Sequence, residues 1–135
     1  MIKYIDSVTE ILSENLQGFF AGWPNPPSPS KHLEILKNSS YVILAVESDT
    51  NKVVGFINAI SDEILTAYIP LLEILPEYHG KGVGEELVSR MLSKLKDFYM
   101  IDLCCRKSHN ALYEKFGMKK HNSMIIRNFS KQNGK

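Results

Sequence analysis

Between Gly84 and Tyr99, apolar side chains return every three or four positions. Leu87, Val88, Met91, Leu92, Leu95 and Phe98 fall on one stripe, and Arg90, Lys94 and Lys96 lie largely off it. That period predicts an amphipathic helix, the strongest in the chain. Val8, Ile11, Leu12, Leu16 and Phe19 repeat the spacing, so a second helix is expected over 6–20, capped by Asp6 or Ser7. Shorter helices are expected at "SKHLEILKN" (30–38) and at "HNALYEKF" (109–116), the latter stopped by Gly117. The β-rich runs "YVILAVES" and "KVVGFINAI" read as a hairpin turning through "DTN". "ILTAYIPLLEIL" reads as a third strand; Pro70 cannot donate to a ladder, so a bulge or an unpaired position is expected there. "MIDLCC" and "MKKHNSMIIRN" read as two more strands, and the four prolines within Gly22–Ser30 as a loop. The class is a mixed α/β sheet flanked by a few helices.

Composition narrows the function. The 135 residues suit one domain, 1–135, of ordinary globular make-up, 44% hydrophobic and 23% charged. A net charge of +1 gives no electrostatic case for nucleic acid as the main partner. No run is apolar enough to span a membrane, and acids interrupt the N-terminal apolar pattern, so a cytoplasmic setting is the expectation. Cys104 and Cys105 are adjacent; strand neighbours point to opposite faces, so buried free thiols are expected rather than a disulfide. His32, His109 and His121 lack metal-ligand spacing, and no metal is expected.

The chemistry concentrates in "LLEILPEYHGKGVGEEL", Leu71 to Leu87. An apolar strand runs into a proline, then Gly80, Gly82 and Gly84 alternate before the long helix begins. The first backbone N–H groups of a helix have no intrahelical partner, and glycine lets an anion approach them. Lys81 adds positive charge. The Walker pattern needs Ser or Thr after Gly-Lys and finds Gly82 instead; the dinucleotide pattern needs G-x-G-x-x-G and finds G-x-G-x-G. Neither nucleotide loop fits. A tight strand-to-helix turn without a ligand is the plain alternative.

"LPEYHGKGVGEELVSRML" resembles the central motif of the GNAT acyltransferase superfamily, and "ALYEKFGM" is similar to the family's downstream Leu-Tyr-Glu-Lys-x-Gly-Phe segment. With the order of elements, the resemblance spans essentially the whole chain. It implies a mostly antiparallel sheet that splays beside the cofactor strand, and a co-substrate, acetyl-CoA. The pyrophosphate would lie on the loop running from His79 through Gly80, Lys81, Gly82, Val83 and Gly84 to Glu85. The pantetheine arm would pair with the main chain of Leu72 and Ile74. His79 departs from the Gln or Arg usual at its position. The asparagine many relatives carry before the tyrosine aligns with Arg106; Asn110, nearer Tyr113, is a candidate cofactor contact. A homodimer stays open.

Acyl transfer from a thioester to an amine needs a neutral amine, a held carbonyl and a proton for the departing thiolate. The resemblance implies that the Tyr113 hydroxyl lies near the sulfur; a packing role beside Leu112 and Phe116 is the alternative. Glu73 lies between Leu72 and Ile74 and so faces away from them, where it could deprotonate or bind an amine. Asp102, between Ile101 and Leu103, is a weaker acid candidate, expected to be buried. Trp23 would wall an acceptor pocket or anchor a surface loop. The expected activity is direct acetyl transfer from acetyl-CoA to a primary amine, a small molecule being slightly favoured over a protein. A degenerate CoA-binding regulatory or interaction module on the same fold is the alternative.

Overall fold

The computed structural model describes residues 1–135. Five strands form one sheet in sequential order: β1 (Ile2–Ile5), β2 (Tyr41–Glu47), β3 (Lys52–Ser61), β4 (Thr66–Ile74) and β5 (Met100–Leu103). The first four are antiparallel neighbours, and β5 runs parallel to β4. A parallel pair needs a crossover, and α2 (Val83–Leu95) supplies it. The other helices are α1 (Pro29–Lys37) and the short α3 (Asn110–Glu114). No helix is long and apolar enough to cross a membrane.

Alternation along the strands builds a core on both faces of the sheet. On one face α2 buries Val83, Leu87, Val88, Met91 and Leu95. It comes close because β3 offers Gly55: a Cβ there would sit 3.2 Å from the tips of both Leu87 and Val83. The expected stripe is thus the packed one, except that the helix ends at Leu95 and Phe98 lies beyond it. The opposite face carries Phe56, which meets Phe19, Phe20 and His32 edge to face at ring separations of 4.4–6.1 Å. α1 delivers His32; its N-cap Ser28 accepts the Lys31 N–H, and Pro29 opens its first turn.

Two expectations about elements fail, and one strand arrives unforeseen. Residues 6–20 form no continuous helix: a single 3-10 turn, Ser13–Leu16, is flanked by extended Leu12 and Gln17, and Phe20 has φ +64°. Ile11, Leu16, Phe19 and Phe20 are still buried, so the spacing reported burial rather than helix. β1 joins the sheet edge unheralded, because four residues are too short to show a period. The expected last strand pairs with nothing. Residues 118–128 run without a ladder, leaving Met124 and Ile126 exposed. The bulge at Pro70 is present. Asn58 faces Leu71 while Ile60 faces Tyr68, so β4 carries one extra residue there. Asn58, buried, takes up the slack: its Oδ1 accepts the Leu71 N–H at 3.1 Å, and its Nδ2 donates to Ser39 Oγ at 3.0 Å.

Candidate active site

The site begins where two strands part. The β4–β5 ladder runs from Thr66 with Met100 to Ile69 with Leu103 and stops. β4 continues through Pro70–Ile74, paired with β3 on one side only. Leu75 N–H donates to the Val54 carbonyl, and Leu71 N–H is held by Asn58 on the same side. Backbone groups alternate along an antiparallel strand, so those of Leu72 and Ile74 point into the opening. An extended ligand could add itself there as a strand.

The opening leads to the glycine turn. Gly80 and Gly82 have φ of +75° and +81°, conformations that side chains with a Cβ adopt at a cost. A Cβ on either would meet nothing within 4 Å, so the space above the turn is open. Gly82 is the N-cap of α2 and has no side chain to cap it. Glu86 N–H makes the first helical bond, to the Gly82 carbonyl, which leaves the N–H groups of Val83, Gly84 and Glu85 without helical partners. Gly84 serves packing: a Cβ would lie 3.2 Å from Ile74 Cδ1. Lys81 is exposed, its ammonium 5.4 Å from the Tyr78 ring centroid. Val83 turns its side chain into the core, and Glu85 pairs with Lys115 at 3.0 Å, so either would serve an anion through its main chain. Open space, free donors and positive charge fit a pyrophosphate.

His79 does not face this turn. Its Nε2 lies 2.8 Å from the Ile74 carbonyl, so that nitrogen carries the hydrogen and donates. The ring therefore occupies an acceptor that an added strand would use.

Glu73 projects from the other face, opposite Phe56. Both its carboxylate oxygens lie 3.0 Å from the Phe20 nitrogen. Burial raises the carboxyl above its ordinary range, and the Phe20 N–H works against that rise. A bulky residue at φ +64° is strained by about 1–3 kcal/mol, and here the strain aims an N–H at a carboxylate. Phe20 was hidden from sequence reasoning by the helical spacing around it. The glycines Gly18 and Gly22, both at positive φ, are the signal of a turn-rich segment. Trp23 packs against Phe20 with the rings tilted by 54° and their centres 4.8 Å apart, and it is partly exposed, which makes it an anchor for this loop.

On the far side of the opening, α3 places Tyr113, 8% exposed. Burial first, and the Cys105 thiol second, push its hydroxyl up to about 12. Asn110 Oδ1 accepts from Cys105 Sγ at 3.3 Å. Gly117, at φ +87°, ends the helix as expected. Both cysteines are exposed, beyond the end of β5, contrary to the expected buried thiols. Asp102 is exposed as well, because β5 is the last strand and not an inner one. Glu73 and Tyr113 thus stand on separate elements, one on β4 and one after β5, with the parting strands between them.

The chain belongs to the acetyltransferase (GNAT) family, whose family model matches residues 6–118. It is 33% identical over 101 residues to a protein of Pyropia yezoensis described as an uncharacterised N-acetyltransferase, ycf52. That match takes in 71% of this chain and 57% of the relative, so the chain spans little more than half the length of the curated protein it matches. Among solved structures it is similar to a candidate acetyltransferase from Deinococcus radiodurans R1, at 40% identity and TM-score 0.94 over 98% of this chain and 92% of the other. A GNAT-family acetyltransferase from Streptococcus pneumoniae TIGR4 follows at 25% identity and TM-score 0.75, over 95% and 98%. The Deinococcus match covers 98% of this chain, so it takes in most of residues 119–135.

Proposed function

We propose that this protein transfers an acetyl group from acetyl-CoA directly to a primary amine, with a small molecule as acceptor. The observation that carries the reading is the parting of β4 from β5 beside the open, donor-rich turn at Gly80–Glu85. When bound, acetyl-CoA supplies an activated thioester carbonyl and a leaving thiolate. The main chain of Leu72 and Ile74 would hold the pantetheine arm, and the N–H groups of Val83, Gly84 and Glu85 the pyrophosphate. Asn110 fixes the Cys105 end of the β5–α3 connection, beside Tyr113.

Two side chains divide the proton work. Glu73, raised by burial and held by Phe20, accepts a proton from the amine or orders the water that does. Tyr113 stays a neutral phenol near pH 7, because its hydroxyl titrates at about 12. A thiolate of pKa about 8.5 cannot strip that proton: the mismatch of about 3.5 units opposes full transfer by roughly 5 kcal/mol. Tyr113 therefore steadies the developing thiolate by donating a hydrogen bond, and the proton itself comes from the amine nitrogen. Much of the acceleration is then proximity of the two substrates.

One observation favours a second reading, a CoA-binding module without turnover: His79 sits on the Ile74 carbonyl. The deciding experiment measures free CoA released from acetyl-CoA across a panel of primary amines, alongside CoA affinity by calorimetry. Amine-dependent thiol release supports the transferase. Tight CoA binding with no release by any amine in the panel supports the module, and no binding removes both.

A further inference from the structure

His32 is a polar side chain that the core leaves unmet. It is 1% exposed, and neither Nδ1 nor Nε2 has a hydrogen-bond partner. The other buried polar residue, Asn58, uses both ends of its amide. Burial keeps the imidazole neutral near pH 7, so one nitrogen carries a hydrogen and the other offers a lone pair. Phe19, Phe20 and Phe56 meet the ring edge to face, contacts that are second-order beside a hydrogen bond. A phenylalanine would fill the same space without leaving a donor and an acceptor unmet, so packing alone does not account for a histidine.

A cavity of about 310 Å³ lies against it, between the 3-10 turn, the proline-rich loop and the start of α1. That volume is at the lower end of the range for small-molecule sites, about 300–1,000 Å³. Phe19, Phe20 and three prolines form most of its wall, and its polar side chains are Gln17, Ser28 and His32. Ser28 Oγ already accepts the Lys31 N–H. With His32 neutral, no side chain lining the cavity is charged. A carboxylate or an ammonium there would lose its water and gain no counter-charge. A hydroxyl or a primary amide both donates and accepts, so it satisfies either tautomer of the imidazole. Phe20 joins this cavity to the proposed base. It lines the cavity with its ring centre 4.8 Å from that of His32, and its N–H holds the Glu73 carboxylate at 3.0 Å.

We infer that the cavity takes the tail of the acceptor, a neutral hydroxyl or amide that hydrogen-bonds to His32 while the amine meets Glu73. The inference rests on the transferase reading and narrows its acceptor to a small amine with an uncharged polar tail, an amino alcohol or an amino amide. Such a molecule spans the same two points that Phe20 spans. His32 then sets specificity for the tail and takes no part in the chemistry at the amine.

Two measurements on the full chain test this. The first compares kcat/KM, with acetyl-CoA as donor, for aminopentanol, aminovaleramide, aminovalerate, diaminopentane and pentylamine, and for their shorter and longer homologues. We expect the alcohol and the amide to lead the plain alkylamine by about ten- to a hundredfold in wild type, and by less than about threefold in His32→Phe. The second needs neither acetyl-CoA nor a variant. The His32 ring nitrogens of ¹⁵N-labelled protein, followed by NMR, should shift saturably with the amino alcohols and stay in place with the alkylamines. Equal rates for all tails, a lead for the charged tails, or a preference that survives His32→Phe overturns the inference and leaves the transferase standing. Saturable imidazole shifts without transfer to any amine keep the subsite and remove the transferase. Imidazole nitrogens that respond to none of the amino alcohols or amides overturn the subsite, and water alone then fills the cavity.

Discussion

The two faces of the sheet are built on different principles. On one, thirteen residues of regular helix press a single apolar stripe onto β2 and β3, with β4 beside them, and each glycine has a geometric reason. On the other, a 3-10 turn, a proline-rich loop and a nine-residue helix cover the strands with aromatic rings, a buried imidazole and a strained Phe20. The regular face ends in the turn assigned to the donor, a ligand shared across a large family. The irregular face holds Glu73 and would meet the acceptor. Regular packing suits a fixed ligand, whereas loops on a rigid frame change shape cheaply. Substitutions on the two faces should therefore separate cofactor affinity from turnover.

The largest separation is expected at Gly82. Gly82→Val places a branched side chain in the open space above the turn, at a φ of +81° that valine resists. CoA affinity should fall by about 1,000-fold or more, roughly 4 kcal/mol, while the circular dichroism spectrum is kept. Affinity within tenfold of wild type in a folded variant would remove the turn from the binding site.

On the aromatic face the next effect is one of stability. Burial lowers His32 from 6.5 to about 4, and neither ring nitrogen has a partner. The unfolded chain binds a proton there below pH 6.5 and the folded protein does not. The stabilisation is therefore whole above pH 6.5 and lost as the pH falls toward 4, by about 3 kcal/mol at most. Urea unfolding at pH 7 and pH 4.5 should show the drop, and His32→Phe should flatten it. Equal slopes in both proteins would assign acid sensitivity elsewhere.

Smaller still are the effects on turnover. Glu73→Gln keeps an oxygen for the Phe20 N–H and loses the base, so turnover should fall by about 100-fold with CoA affinity unchanged. A parallel loss of affinity would place Glu73 in the cofactor site instead. Tyr113→Phe should cost less than about tenfold, because a phenol at about 12 lends a hydrogen bond rather than a proton. A loss above a hundredfold at unchanged melting temperature would restore it as a general acid.

What the sequence made legible follows the same division. α2, the β2–β3 hairpin, the Pro70 bulge and the Gly117 stop could be read because local chemistry decides them: period, turn residues, a missing donor, a positive φ. The turn at Gly80–Gly84 could be read for the same reason. Residues 6–20 could not. Their apolar spacing satisfies a helix, yet Phe20 is held in a left-handed conformation by Glu73, 53 positions away. Nor could the exposure of Asp102 and the cysteines be judged, since it depends on β5 being an edge.

The central claim is that an acyl-CoA lies along the free side of β4 with its pyrophosphate on the turn that opens α2. Amide NMR of the ¹⁵N-labelled protein titrated with acetyl-CoA tests it directly. The account predicts saturable shifts concentrated at Leu72, Ile74 and Lys81–Glu86, with the His79 ring leaving the Ile74 carbonyl as the ligand pairs there. Shifts centred elsewhere, or none at millimolar acetyl-CoA, would contradict it.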